Sequence, residues 1–124
     1  MKRAHEELAV WQESIELVKM VYRVSSCFPK EELYGLTSQV RRAAVSVPAN
    51  IAEGAARGSR REFHQFLIIA RGSLSEVETL VHISRELGLM PADDEDELRG
   101  VAARVSALLA GLLGSLRRSE EGKR

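Results

Sequence analysis

The feature that constrains this 124-residue chain most is an apolar repeat with helical spacing that returns in four successive segments. The third segment shows it most clearly, because its apolar residues recur by four and three: Phe63, Leu67, Ala70, Leu74, Val77 and Val81. This spacing places side chains on one face of an α-helix. We find no segment with the alternation that is typical of a strand. The repeat therefore predicts an all-α protein.

Glycine and proline residues divide the chain into four predicted helices with short connections between them. The helices are about 8–27, Leu36 or Thr37 to Arg57, Arg60 to Leu87, and 92 to about Arg117. Because short connections make sequence neighbours run antiparallel, we predict an antiparallel up-down-up-down four-helix bundle. A single domain would occupy residues 1–118, and residues 119–124 would form a frayed tail.

The apolar stripes of the first and fourth helices predict which residues form the core. The expected core positions are Leu8, Trp11, Ile15, Val18 and Tyr22 in the first helix, and Leu98, Val101, Val105, Leu108 and Leu112 in the fourth. Further apolar residues flank the stripes of the first and third helices: Leu17, Val21, Val24, Phe66, Ile69, Leu80 and Ile83. Because such a surplus usually covers a partner, self-association is favoured over the alternative of a broad, well-buried third helix.

Pro48 is the residue least compatible with the second helix. A proline inside a helix removes one backbone hydrogen bond and crowds the carbonyl four residues earlier, here that of Ala44. We expect a kink, and the alternative is two short helices with Pro48 in the first turn of the second. Ser46 and Asn50 are candidates to satisfy the exposed carbonyl.

The third helix has the clearest boundaries. It begins at a capping box formed by Ser59 and Glu62, and Gly88 is a good terminating residue. Gly72 offers an alternative break, because Ser73 begins a second possible capping box. The apolar repeat passes through Gly72 without a phase shift, so we predict one continuous helix.

Charge is balanced over the chain but unevenly distributed. The 18 basic and 18 acidic residues give no overall bias toward nucleic acid or an anionic membrane. Residues 36–71 contain six arginines and two glutamates, a net charge of +4, whereas residues 72–100 contain eight acidic residues and two arginines, a net charge of −6.

The chain has the features of a cytoplasmic protein. Cys27 is its single cysteine, and its charged N-terminus lacks the apolar segment of a signal peptide. The longest nearly uncharged stretch, Val101 to Leu116, is shorter than the roughly 20 residues that span a membrane. We therefore expect no membrane partner.

No residue pattern predicts catalysis, a cofactor or a metal centre. A carboxylate-bridged metal centre in a bundle needs Glu-x-x-His on two helices, and no histidine here has a glutamate three residues before it. Glu78, His82 and Glu86 are spaced by four, but a salt-bridged surface is the simpler interpretation. Cys27 has no histidine close in sequence, so a half-buried structural cysteine is expected.

Arginines are the best candidates for function. Arg57, Arg60 and Arg61 cluster at the predicted turn before the third helix, beside free backbone donors that favour anions. We treat them as candidate nucleic-acid-binding residues. The alternative is a solvated helix end in which Glu53 and Glu62 pair with the arginines.

Two further arginines lie near the other end of the second helix. Folding the hairpin about Gly58 places Arg41 and Arg42 roughly level with Glu76 and Glu78 of the third helix. Interhelical salt bridges are therefore expected there.

Four segments carry a resemblance to a known family: Leu8 to Trp11 (LAVW), Phe28 to Thr37 (FPKEELYGLT), Gln39 to Gly54 (QVRRAAVSVPANIAEG) and Ala70 to Glu76 (ARGSLSE). They resemble the bacterial four-helix-bundle proteins encoded in intervening sequences of 23S ribosomal RNA genes, over about Leu8 to Gly88. The residues that match the family signature are Arg41, Arg42, Pro48, Asn50, Glu53 and Gly54.

This resemblance implies a homo-oligomeric ring, typically a pentamer, with no known enzymatic activity and a structural or subunit-contact role for the signature residues. The family is similar in turn to the accessory variability proteins of diversity-generating retroelements. Those are basic pentamers that work with a reverse transcriptase and contact nucleic acid, whereas this chain has a net charge of zero.

We therefore hypothesise a non-enzymatic, ring-forming scaffold or adaptor without a cofactor. Its expected partners are further copies of itself and RNA or a nucleic-acid enzyme. The alternative hypothesis is a metal-binding or catalytic helical bundle.

Overall fold

The computed structural model describes residues 3–121, and in that range the chain forms four α-helices and no strand. The helices are α1 (Ala9–Ser25), α2 (Leu36–Ala56), α3 (Arg60–Glu86) and α4 (Ala92–Glu121). Two short 3₁₀ turns, Ala4–Glu7 and Lys30–Glu32, precede α1 and α2. The predicted all-α fold is confirmed. Helix α4 continues through residues 119–121 of the predicted tail, and residues 122–124 lie outside the described range.

Each helix packs against its neighbours in sequence, and α4 also packs against α1. Two ion pairs join α1 and α4: Arg23 Nη2 lies 2.9 Å from Glu97 Oε2, and Arg104 Nε lies 2.8 Å from Glu13 Oε1. The sequence position rises along one helix as it falls along the other, which is what an antiparallel pair would produce. The up-down-up-down order of the whole bundle stays a prediction.

The predicted core face of α1 was wrong. The face that is buried is shifted from it by one residue along the helix. The buried residues are Val10, Ser14, Leu17, Val21, Val24 and Ser25. Tyr22, which we expected in the core, is 44% exposed. Ser14 conceals the true register because it interrupts the apolar series. Its burial is tolerated because its hydroxyl donates to the Trp11 carbonyl at 2.7 Å.

The inward face of α4 also departs from the prediction in its second half. Leu98, Val101 and Val105 are buried as expected, but Leu109 takes the inward position and Leu108 is 37% exposed. An α-helix has 3.6 residues per turn, so its inward face drifts relative to a strict seven-residue repeat. The expected core position of Leu108 was therefore wrong.

Among the described residues, one helix, α4, is long and apolar enough to cross a membrane by those two criteria alone. Of its apolar 18-residue stretch, 39% is buried within the bundle. A contribution to the core explains the apolar composition of that part. The exposed remainder is uncharged between Arg104 and Arg117.

Helix α2 is continuous through Pro48, so the alternative of two short helices was wrong. The Asn50 amide donates to the Ser46 carbonyl at 2.8 Å and lies 2.9 Å from the Ser46 hydroxyl. The Ser46 hydroxyl in turn lies 2.8 Å from the Ser73 hydroxyl of α3. The hydrogen bond between these two hydroxyl groups links α2 to α3 close to Pro48. The kink itself stays a prediction.

Helix α3 begins at Arg60 as predicted, ends at Glu86, one residue before the predicted end, and is continuous through Gly72. The Ser59 hydroxyl accepts a hydrogen bond from the Glu62 backbone N–H at 3.1 Å. At the other end, Gly88 has a φ of +75°, and the Leu89 N–H donates to the Ser84 carbonyl at 2.9 Å. This is the Schellman arrangement, which satisfies helix-terminal carbonyls.

Candidate nucleic-acid interface

A cavity of about 370 Å³ that is open to solvent lies between the start of α3 and the last turns of α4. Arg60 and Arg61 belong to the first turn of α3, and α4 contributes Arg117 from a distant part of the sequence. The lining residues are Arg60, Arg61, His64, Gln65, Leu116 and Arg117. We call this the basic cavity, because three of the lining residues that the structure describes are arginines and none of them is acidic.

Arg60 and Arg61 are exposed, and neither takes part in an ion pair within the described part of the chain. Both side chains are therefore accessible to a ligand from solvent. Guanidinium groups bind phosphate oxygens well because two parallel N–H donors match two oxygens of the anion.

Arg57 has a different environment from its two predicted companions. Its Nη2 lies 2.8 Å from Glu53 Oε1, and its Nη1 lies 3.7 Å from Glu62 Oε2. Its guanidinium carbon lies 5.0 Å from the centre of the Phe66 ring. The hydrogen bond that Arg57 donates to Glu53, with the charges of Glu53 and Glu62, raises the pKa of Arg57 above its ordinary value. Arg57 is thus held at the contact between α2 and α3 and does not line the basic cavity.

Three polar or charged residues of the basic cavity were not predicted: His64, Gln65 and Arg117. Arg117 was expected only as the approximate end of the fourth helix. The short connection between α3 and α4 is the sequence signal that places Arg117 near Arg60 and Arg61. It makes the two helices antiparallel, so the end of α4 lies beside the start of α3. His64 and Gln65 follow Arg60 and Arg61 by about one helical turn and so share their side of α3.

The predicted salt bridges from Arg41 and Arg42 to α3 were wrong. Arg41 Nε donates to the Ser25 hydroxyl at 2.8 Å, and its guanidinium carbon lies 4.6 Å from the Tyr22 ring centre. Arg41 therefore faces α1, whereas α3 packs against the other side of α2. Arg42 is exposed, without an ion pair among the described residues.

The remaining signature residues are buried or make contacts within the bundle. Pro48 is buried within α2, and Asn50 bonds the Ser46 carbonyl and hydroxyl. Glu53 pairs with Arg57. A Cβ atom added to Gly54 would lie 2.7 Å from Phe66 Cβ, so Gly54 permits the close approach of α3.

Two of the three residues considered for a metal site, His82 and Glu86, belong to a group of charged and polar side chains where α3 meets α4. His82 Nε2 lies 3.7 Å from Glu86 Oε1, and its Nδ1 lies 3.3 Å from Arg99 Nη2. Glu95, whose side chain is 13% exposed, also forms an ion pair with Arg99, with 3.1 Å between Glu95 Oε2 and Arg99 Nη2. Within the described residues, no three His, Cys, Asp or Glu side chains are grouped closely enough to hold a metal ion.

Cys27 is exposed, so the expectation of a half-buried cysteine was wrong. Helix α1 ends at Ser25, and the Cys27 N–H donates to the Val24 carbonyl at 3.2 Å in the turn that follows. The side chain therefore lies beyond the face of α1 that packs into the core.

The fold and these contacts define an all-α helical-bundle protein with a basic cavity at one end. The chain belongs to the 23S rRNA-intervening sequence protein family, whose model matches residues 6–111. The resemblance predicted from sequence is therefore confirmed and extends into α4. Leu116 and Arg117 of the basic cavity lie beyond the matched range.

A solved structure supports the same fold. The chain is similar to a protein of unknown function from the S23 ribosomal protein family of Bacteroides thetaiotaomicron, with a TM-score of 0.76 and 19% sequence identity. The similarity covers 85% of this chain and 98% of that chain. At this identity the likeness shows the fold alone. No curated protein matches the chain.

Proposed function

We propose that this chain is the subunit of a non-enzymatic homo-oligomer, a pentameric ring, that serves as a scaffold or adaptor and binds RNA. The single observation that carries RNA binding is the basic cavity, where α3 and α4 bring three arginine side chains together and no acidic residue is found among the described lining residues. An enzyme that acts on nucleic acid is a further partner of such a scaffold. The pentamer is the assembly that the family resemblance implies.

The acidic cluster at the start of α4 does not weaken the basic cavity, because it lies at the opposite end of that helix. Five consecutive acidic residues, at positions 93–97, lie at the start of α4, while Arg117 lies near its end. At 1.5 Å per residue, residues 93 and 117 are roughly 36 Å apart along the helix. Screening at physiological salt acts over about 8 Å, so the acidic end has little effect on a phosphate in the basic cavity.

Replacing Arg60 and Arg61 together with glutamate tests RNA binding. We expect the wild-type protein to bind structured RNA at low salt, and the double variant to bind at least about tenfold more weakly, because two phosphate contacts become repulsive. Fluorescence anisotropy measures both affinities with a labelled RNA hairpin that carries a single-stranded overhang ending in a phosphate.

The matched control reverses two exposed arginines outside the basic cavity, Arg42→Glu with Arg71→Glu. This control changes the net charge by the same amount, so a purely nonspecific charge effect would weaken both variants equally. Equal weakening, or no detectable binding by the wild-type protein at low salt, would contradict RNA binding through the basic cavity.

Self-association is supported first by an uncharged surface on α4. No charged residue occurs between Arg104 and Arg117. The exposed residues of α4 in and beside this stretch are mostly small: Gly100, Ala103, Ser106, Ala107, Ala110, Gly111 and Ser115. A cavity of about 310 Å³ beside them is lined by Leu8, Ala9, Val10, Ala107, Leu108, Gly111 and Leu112. Small side chains allow another helix to approach closely, and an exposed uncharged surface of this length is typical of an interface.

A second exposed apolar surface lies where α2 meets α3. Val45 and Ile69 are 42% and 50% exposed, and they lie near the hydroxyl pair of Ser46 and Ser73. Each helix packs on its sequence neighbours and α4 packs on α1, so the α1–α4 and α2–α3 contacts lie on opposite sides of the bundle. Contact between two different surfaces on opposite sides is heterologous, and repeated heterologous contacts that close form a ring.

A glutamate at position 107 tests this assembly. We expect multi-angle light scattering of the wild-type protein at micromolar concentration to give a multiple of the subunit mass. Ala107→Glu should shift it toward monomer, because an unpaired charge would be buried in the contact. Ser75→Glu, which adds the same charge to an exposed position of α3, should leave the assembly intact. A wild-type protein that is only monomeric would contradict the proposed homo-oligomer.

A further inference from the structure

The basic cavity has a form that specifies its ligand more closely than RNA in general. We infer that it binds the terminal phosphate monoester of a single RNA strand, together with the nucleoside that carries it, and not the phosphodiesters along the backbone. This inference rests on the proposed RNA binding and specifies which part of the RNA is bound.

The shape of the site favours a terminus. A protein that follows a nucleic-acid backbone needs positive charges spaced along an extended groove. Here Arg60, Arg61 and Arg117 line one cavity of about 370 Å³, which is within the range of roughly 300–1,000 Å³ for pockets that hold small ligands. A strand end can enter such a cavity, whereas a continuous duplex backbone passes over its opening.

The charge of the site favours a monoester. An internal phosphodiester carries one negative charge, whereas a phosphate monoester carries about −1.5 to −2 near pH 7 and presents three strong acceptor oxygens. Each guanidinium group has five N–H donors in a planar fork. Three such groups around one cavity therefore match the greater charge and acceptor number of a terminal phosphate.

The other lining residues favour an attached nucleoside over free phosphate. Leu116 gives the cavity an apolar contact surface that inorganic phosphate would leave exposed to water. The His64 ring offers a surface for base stacking, and the Gln65 amide can donate to and accept from a base edge. A terminal nucleotide uses all three of these side chains and the arginines as well.

A competition experiment tests the inference. A labelled RNA bound to the full chain is displaced by unlabelled single strands of one sequence that carry a 5′-phosphate, a 3′-phosphate or hydroxyl groups at both ends. We expect one of the phosphate-ended strands to compete at least about tenfold better than the hydroxyl-ended strand. A nucleoside monophosphate should also compete better than inorganic phosphate.

Two conservative variants assign the effect to the basic cavity. Arg61→Gln and Arg117→Gln should each reduce the preference for a terminal phosphate, while Arg71→Gln, on α3 outside the cavity, should retain it. Equal competition by all three strands would overturn the inference and leave RNA binding intact. Inorganic phosphate that competes as well as the nucleotide would overturn the nucleoside contact. An absence of RNA binding altogether would overturn both the inference and the proposed function.

Discussion

Leu17→Ala is expected to lower the free energy of unfolding by about 2–5 kcal/mol, whereas Ile15→Ala should lower it by no more than about 1 kcal/mol. Leu17 is 0% exposed within the core, so its truncation leaves a cavity that the surrounding helices can fill only in part. Ile15 has intermediate exposure, and its truncation leaves a position that water can reach. Urea denaturation measures both values. The variants should be compared at one protein concentration, because self-association adds to apparent stability.

This pair of variants distinguishes two registers of α1. If Leu8, Trp11, Ile15, Val18 and Tyr22 formed the core, as the sequence first predicted, Ile15→Ala would be the more damaging change. A larger loss for Ile15→Ala than for Leu17→Ala would therefore contradict the packing of α1 described above.

Gly54→Ala is expected to destabilise the protein and Gly72→Ala to stabilise it, although both glycines lie inside long helices. A Cβ at position 54 would lie 2.7 Å from Phe66 Cβ and 3.0 Å from Phe63 Cδ1. Phe66 Cβ is attached directly to the backbone of α3, so the two helices must separate. Overpacking of this kind costs about 1–3 kcal/mol, which exceeds the roughly 1 kcal/mol gained from the better helix propensity of alanine.

Gly72 is the matched control because no atom lies within 4 Å of a Cβ built there. Only the better helix propensity of alanine then affects stability. Gly72→Ala should therefore raise the free energy of unfolding by about 0.5–1 kcal/mol. Thermal unfolding of both variants shows whether each substitution stabilises or destabilises the protein. Stabilisation by Gly54→Ala would show that α2 and α3 do not approach as closely as described.

The helices themselves could be predicted from local signals. Ser59 with Glu62 fixed the start of α3, and Gly88 fixed its end, because capping chemistry involves residues that are close in sequence. Which face of α1 is buried could not be predicted in the same way. Two stripes with helical spacing compete there, and the buried one contains Ser14, whose hydroxyl is satisfied by a carbonyl one turn earlier.

The candidate site could be predicted only in part. Arg60 and Arg61 were identified because they lie at a helix start. Arg57 was grouped with them because the sequence left open whether Glu53 and Glu62 pair with the arginines, and its contact with the Phe66 ring forms only when α2 packs on α3. Arg117 lies far from Arg60 in sequence, so the cavity they share depends on the pairing of α3 with α4.

RNA affinity measured over a series of salt concentrations tests the proposed function most directly. Each phosphate contact with single-stranded RNA contributes about 0.7 to the slope of log affinity against log salt. The wild-type protein should show a linear decrease in affinity, Arg60→Glu with Arg61→Glu should give a slope shallower by about 1–2, and Arg42→Glu with Arg71→Glu should retain the wild-type slope. No detectable binding at low salt, or an unchanged slope in the first double variant, would contradict RNA binding by the basic cavity.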